Sequence, residues 1–187
     1  PIFAGRDNMT VVDFGANIGL FSLYARDSAS RLVAVEPMAN TFDVLTRLTD
    51  SHYNIERVQA AMANTDGPVT FYQNENSTVN SLLDRNGTAL TVPGMTFARF
   101  FEQHNLQHVD FCKCDIEGSE SFVLTEANLD AVRDVVKFWF IEVHQTDVKQ
   151  LPWPGNLEAN RQNLRSVFNN LGYNTDTVIN DQLFAWR

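Results

Sequence analysis

Residues 10–26 read TVVDFGANIGLFSLYAR, and few folds accept that order of residue types. Thr10 to Phe14 is a mostly apolar strand. Gly15 and Gly19 bracket a turn, and helical spacing then takes over at Leu20, Leu23 and Tyr24. A strand that runs through a glycine turn into a helix is the opening unit of a parallel α/β sheet. Asp13, one residue before the end of the strand, places a carboxylate at the junction.

The rest of the chain keeps the alternation. Arg31 to Glu36 (RLVAVE) is a second strand. Pro37 is placed to open a helix, since proline suits the first helical position, and Met38, Phe42, Leu45 and Leu48 keep helical spacing behind it. Asn54 to Ala61 is a third strand. Thr65-Asp66-Gly67-Pro68 is a turn signal before a β-rich Val69 to Tyr72, and residues 73–90 are polar and read as an excursion over the surface. Thr96 caps a helix whose Phe97, Phe100 and Phe101 face the core. Val109 to Cys114 is a fourth strand, followed by a short helix over Ser119 to Glu126. Val135 to Val143 is a fifth strand, apolar enough to be buried on both faces. A helix from Asn156 to Leu171 stops at Gly172, and Tyr173 to Ile179 and Gln182 to Trp186 close the chain as a hairpin around Asn180-Asp181. With no repeat, linker or low-complexity tract, residues 1–187 are expected to form one domain, a parallel sheet wound on both faces.

Such sheets bind ligands at the carboxyl ends of their strands, near the point where strand order reverses. At the first turn the dinucleotide fingerprint G-x-G-x-x-G would need glycine where Asn17 stands, and no Gly-Lys-Ser/Thr triplet is present, so a pyrophosphate ligand is disfavoured. Asp13 would repel phosphate and would suit a cationic ligand bearing an ammonium group; S-adenosylmethionine is one. Glu36, about twenty residues on, is placed to accept both hydroxyls of a ribose. Alone, Asp13 reads equally as a turn former and Glu36 as a solvated strand end.

The segments VVDFGANIG, AVEP, CKCDIEGSE and FIEVH, in that order, resemble the four motifs of the FkbM family of S-adenosylmethionine-dependent methyltransferases. VQAAMANTDGPVTFY is similar to that family's third strand and following hairpin. The resemblance covers roughly residues 10–145 and implies a class I methyltransferase (Rossmann-like) fold, a mostly parallel seven-stranded sheet with an antiparallel C-terminal hairpin. It implies O-methylation of hydroxyls on carbohydrates or other natural products. It also implies that Asp13, Gly15, Ala16, Asn17 and Gly19 line the methionine end of the cofactor. Glu36 would hold the ribose, Pro37, Met38, Ala61 and Met62 would flank the adenine, and Asp115 would sit beside the sulfonium. Family members often carry more chain before the first motif, so this chain is expected to be a trimmed or minimal version.

Asp115 and Glu117 flank the tip of the fourth strand, and Glu142 and His144 that of the fifth. Neighbouring tips would gather four ionisable groups beside the cofactor. A hydroxyl is a weak nucleophile until a positioned base takes its proton. His144 is the natural base near neutral pH, with Asp115 the alternative and Glu117 beside them. The same four groups, Asp115, Glu117, Glu142 and His144, also have the donor types of a divalent metal site, and a metal would acidify the acceptor. A structural role, with Glu117 as a helix cap and His144 in the core, stays open beside both. Ser77, Asn80 and Ser81 could close over the acceptor or belong to a solvated loop. Trp153 could stack on a sugar ring or simply pack its loop. His52, His104 and His108 read as surface residues.

Two other functions remain. One is an NAD-type oxidoreductase, against which Asn17 argues. The other is a cofactor-binding module without catalysis, against which the intact acidic tips argue. The net charge of −9 disfavours a nucleic-acid partner. No apolar run reaches the ~20 residues of a membrane span, and residues 1–9 lack the pattern of a signal peptide. Cys112 and Cys114, two apart on a strand, are poorly placed for a bridge and read as buried thiols, which fits a reducing, cytoplasmic compartment.

Overall fold

Residues 3, 5–73, 80–84, 87–146, 156–177 and 181–187 are described in a computed structural model of the chain. The first strand, β1 (Met9–Phe14), is followed by α1 (Leu20–Ala25), β2 (Ala29–Val35), α2 (Ala39–Thr49) and β3 (Ile55–Val58). The chain then builds β4 (Ala61–Met62), β5 (Gly67–Gln73) and β6 (Thr88–Met95) before α3 (Phe97–Gln103) and β7 (Phe111–Cys114). The remaining elements are α4 (Glu120–Val123), α5 (Glu126–Asp130), β8 (Phe138–Glu142), α6 (Leu157–Asn170), β9 (Asn174–Thr177) and β10 (Gln182–Trp186).

Seven strands form the main sheet in the order β3-β2-β1-β7-β8-β10-β9. The first five are parallel, and β10 enters antiparallel between β8 and β9. Both expectations for the architecture, a doubly wound sheet and a closing antiparallel hairpin, are met; Ile179 and Asn180, in the turn region, lie outside the described residues. Side-chain alternation along β1 divides the core. Val11 packs with Leu32, Ala34, Leu45 and Phe111 on one face, while Val12 and Phe14 join Val33, Val35, Cys112 and Cys114 on the other. The Phe stripe of α3 fills that second face: Phe97 and Phe100 sit edge-on to Phe14 at 5.3 and 5.0 Å, and Thr96 caps the helix by accepting the Arg99 N–H. Cys112 and Cys114 are free, buried thiols. Among the described residues no helix is long and apolar enough to cross a membrane.

Five expectations change. Pro37 does not open α2; it lies ahead of the cap residue Met38, because Glu36 holds the Met38 N–H and keeps the chain extended there. The third strand ends at Val58, and Ala61–Met62 crosses to a separate three-stranded sheet, order β4-β6-β5. Its central strand, β6, starts inside the excursion expected over residues 73–90 and runs on through Pro93-Gly94. Pro93 pairs with Pro68. Two prolines can exchange no N–H bond, so each is tolerated at a pair that requires none. The fifth strand is not buried on both faces: Trp139 and Ile141 are fully buried, whereas Phe138 and Phe140 are half-buried beside Phe184 and Trp186. Finally, His104 is not on the surface. Its side chain is 9% exposed and its Nδ1 lies 2.5 Å from Glu56 Oε1; His52 is half-buried and His108 exposed.

The chain builds outward from β1 to β2 and β3, then returns to β7 and β8 on the other side. The reversal between β1 and β7 leaves a crevice at the carboxyl ends of the strands, and the ends that border it are residues 15–17, 36, 115–117 and 142–144.

Candidate functional site

The turn after β1 is drawn tightly across the crevice. The N–H groups of Gly15 and Ala16 both donate to Val35 O, at 3.0 and 2.9 Å. Gly15 has φ +75, and a Cβ there would lie 1.7 Å from Asp115 O, so the turn touches the end of β7 with no space for a side chain. Gly15→Ala is therefore expected to lower folding stability by roughly 2–5 kcal/mol, from left-handed strain and overpacking together, as read by urea unfolding; an unchanged midpoint would contradict the geometry.

Glu36 closes the other side of the turn. Its Oε2 accepts the Asn17 N–H at 3.1 Å and its Oε1 the Met38 N–H at 3.0 Å. The residue is only 7% exposed, and burial carries its carboxyl up to about 7 despite the two N–H donors. Gly15, Asn17, Glu36, Asp115 and Glu117 form the polar part of a pocket whose apolar wall is Val35, Pro37, Ala61, Met62, Phe71 and Leu82. Among the described residues no lysine or arginine lines it. A wall with a two-oxygen acceptor, an apolar slot and no cation fits a nucleoside without phosphates. It does not fit a pyrophosphate, which would need a cation or a row of free N–H groups.

The opposite end of the pocket is acidic. His144, just beyond β8, places Nε2 3.4 Å from Glu117 Oε2 and 3.8 Å from Asp115 Oδ1. Its Nδ1 lies 3.1 Å from Oε1 of Glu120, which is 1% exposed and also accepts the Ile116 N–H. Asn160 of α6 donates to the His144 carbonyl and fixes the backbone. Burial acts to lower the His144 pKa, but the Glu120 hydrogen bond and the charges of Glu120, Glu117 and Asp115 outweigh it and carry it to about 9. Glu117 is pushed up to about 7, first by burial and then by the neighbouring carboxylates, with His144 opposing. Burial and Asp115 also raise Glu142. Ligand atoms of Asp115, Glu117 and His144 all lie within 4.8 Å of one another.

Glu117 adopts φ +57. Among the described residues four non-glycine residues have positive φ, and the other three are asparagines, Asn8, Asn17 and Asn105. Asparagine tolerates that region; glutamate does not. The strained residue and its carboxylate are at the pocket wall, where strain goes with function.

Several residues expected at the cofactor lie behind the wall. Asp13 is fully buried; it accepts the Ser22 hydroxyl at 2.6 Å and has Lys113 Nζ 3.8 Å from its Oδ1. Its carboxyl is raised by burial against the lowering influence of Lys113 and Ser22. Ala16 and Met38 are buried and do not line the pocket. Gly19 serves packing: a Cβ there would meet Leu45 Cδ1 at 2.6 Å. Glu142 is not part of the close Asp115–Glu117–His144 group. Asn80 lines the pocket, while Ser81 is buried and spends its hydroxyl on the Leu83 N–H; Ser77 and Trp153 lie outside the described residues. The sequence reading passed over Glu120, Lys113, Phe71 and Leu82. For two of them a signal existed: Lys113 is the one charge inside FCKC, and Glu120 follows Glu117 at helical spacing.

The family model described as "Methyltransferase FkbM domain" matches residues 13–175. The Methyltransferase sdnD of Sordaria araneosa is 30% identical over an alignment covering 69% of this chain and 65% of the relative, so the chain spans just under two thirds of that protein's length. Among solved structures, the Methanococcus jannaschii fibrillarin pre-rRNA processing protein aligns at a TM-score of 0.60 with 11% identity, over 97% of this chain and 67% of that one. Aeropyrum pernix fibrillarin in complex with natively bound S-adenosyl-L-methionine aligns at 0.56 with 12% identity, over 97% and 66%. Precorrin-6y C5,15-methyltransferase from Geobacter metallireducens aligns at 0.56 with 13% identity, over 99% and 83%. At these identities the likeness to solved structures is one of fold.

Proposed function

Since the chain belongs to the FkbM methyltransferase family, we propose that it is an S-adenosylmethionine-dependent O-methyltransferase acting on a hydroxyl of a small molecule or glycan. The observation that carries the reading is one pocket, with no lysine or arginine among the described residues that line it, bordered by the carboxylates of Glu36 and Glu117. When bound, S-adenosylmethionine supplies an electrophilic methyl on a sulfonium. Glu36, fixed by two N–H donors, accepts the ribose hydroxyls. Pro37, Ala61, Met62 and Phe71 exclude water around the base. Asp115 turns its carboxylate toward the sulfonium.

Placing the acceptor oxygen in line with the methyl supplies much of the acceleration. Glu117 takes the acceptor proton on its carboxylate. The sequence alone favoured His144 as the base, but the carboxylates around its ring hold it as an imidazolium at neutral pH. It is better suited to orient Glu117 and to balance the charge there. A proton acceptor with a pKa near the working pH combines availability with driving force, and Glu117 has that property.

A divalent cation on Asp115, Glu117 and His144 is the second reading, favoured by their mutual reach of 4.8 Å; it would acidify the hydroxyl directly. One experiment separates these readings. Methyl-labelled S-adenosylmethionine is supplied with panels of hydroxyl acceptors (sugars, polyketides, hydroxylated peptides) and of amine acceptors, with EDTA in a parallel series. Label in an ether on a hydroxyl acceptor, insensitive to EDTA, is expected. Loss with EDTA and recovery with Mg²⁺ or Mn²⁺ would select the metal reading, and label on amines alone would overturn O-methylation.

A further inference from the structure

Lys113 is a lysine where a lysine is costly. It stands on β7 between two fully buried cysteines, is itself 9% exposed, and has no solvent to carry its charge. Its ammonium donates to Asp115 Oδ2 at 2.9 Å and lies 3.8 Å from Asp13 Oδ1, with the Phe21 ring 5.8 Å away. Asp13 lies beneath the glycine turn, and Asp115 is on the pocket wall. Asp115 Oδ1 is buried, makes no hydrogen bond and lies 3.8 Å from His144 Nε2, so the lysine occupies one oxygen of that carboxylate and the other faces the His144 ring.

We propose that Lys113 sets the charge of the cofactor pocket and thereby the pocket's preference between the methylated and the demethylated cofactor. The inference rests on the reading that S-adenosylmethionine binds here, and it names a residue that no contact with the cofactor would reveal. Without the lysine, Asp115 on the pocket wall and Asp13 buried behind it would present two negative charges to a sulfonium. Lys113 cancels one. S-adenosylmethionine carries a positive charge at sulfur that S-adenosylhomocysteine lacks, so the local charge acts on the ratio of their affinities and leaves contacts common to both untouched. That ratio matters to turnover. Methyl transfer disperses the sulfonium charge, so extra attraction to the reactant stabilises the ground state more than the transition state and slows the chemical step. A lysine tethered by two carboxylates limits that attraction while keeping Asp115 in place.

The test is calorimetric, with S-adenosylmethionine and S-adenosylhomocysteine titrated separately into the wild type, Lys113→Met and Lys113→Arg. In Lys113→Met the ratio of dissociation constants, homocysteine form over methionine form, is expected to rise about tenfold, as removal of one nearby charge at intermediate dielectric demands. In Lys113→Arg, which keeps the charge, it is expected to stay within about threefold of wild type. A lysine that only supports the fold would weaken both ligands alike and leave the ratio unmoved, which would overturn the proposal. Lys113→Met leaves Asp13 buried without its partner, so Asp13→Asn, which removes one negative charge and keeps Lys113 on Asp115, gives the opposite reading if Lys113→Met fails to fold: the ratio is expected to fall, and an unmoved ratio there would overturn the proposal as well. If the wild type binds both ligands and the ratio does not move, this inference alone falls. If the wild type binds neither, the cofactor assignment falls and takes this inference with it.

Discussion

Glu117→Gln is expected to slow methyl transfer by about 10²–10⁴-fold, the usual contribution of a positioned base, while S-adenosylhomocysteine binds within about threefold of wild type. The substitution keeps the size and hydrogen-bonding reach of the side chain and removes only its ability to take a proton. Glu117→Gly separates chemistry from folding. Position 117 has φ +57, a conformation that costs a non-glycine residue roughly 1–2 kcal/mol. Glycine there should hold or raise the unfolding midpoint while the activity falls as far as in Glu117→Gln. A residue retained at a cost to stability and needed for turnover is the signature of a functional side chain. A glutamine variant of full activity would remove Glu117 from the mechanism.

Glu36→Gln is expected to weaken S-adenosylhomocysteine by about 10²-fold, since two hydrogen bonds from the ribose to a charged acceptor are worth roughly 3 kcal/mol together. The pH dependence is equally diagnostic. The Glu36 carboxyl titrates at about 7 in the free protein because burial disfavours its charge. The ribose is held by the ionised form. Below about pH 7 the free protein binds a proton that must leave on complexation, so the dissociation constant rises toward tenfold per pH unit. Above about pH 7 this contribution levels off. Glu36→Gln removes the slope along with the affinity. The sign for folding is the reverse: a carboxyl whose pKa is raised on folding contributes stability that is fully present at and below about pH 4.5 and is lost as the pH rises to about 7, on the order of 3 kcal/mol for this group. The protein without ligand should therefore lose stability across that window as the cofactor gains affinity. Titrations at a series of pH values, with thermal melts alongside, check both.

The fold was legible where burial patterns are strong and contacts are local. The run Thr10–Phe14, the Phe stripe of α3 and the stop at Gly172 each carry their own period or turn chemistry, and each is found. Strand β6 was hidden because Pro93 and Gly94 signal a break, and only the partner strand shows that a proline facing a proline is harmless. The division of the third strand was hidden for a different reason: no glycine, proline or charged residue breaks Val58 to Ala61, and which sheet receives Ala61 is a tertiary choice. In the site, strand tips and spacing were enough to bring Glu36, Asp115, Glu117 and His144 to one crevice. They could not show direction. Asp13, one residue before the end of β1, is held by Ser22 and Lys113 and does not line the pocket. Nor could spacing show that three carboxylates, one of them the unsuspected Glu120, would close around His144 and turn an expected base into a cation.

The central claim is that the pocket between the ends of β1, β2 and β7 is built for S-adenosylmethionine. A calorimetric titration of the protein with S-adenosylhomocysteine, with NAD titrated in parallel, tests it most directly. One site per chain for S-adenosylhomocysteine, lost in Glu36→Ala, and no heat with NAD is the expected result. Binding of NAD at that site, or of S-adenosylhomocysteine with undiminished affinity after Glu36→Ala, would contradict it.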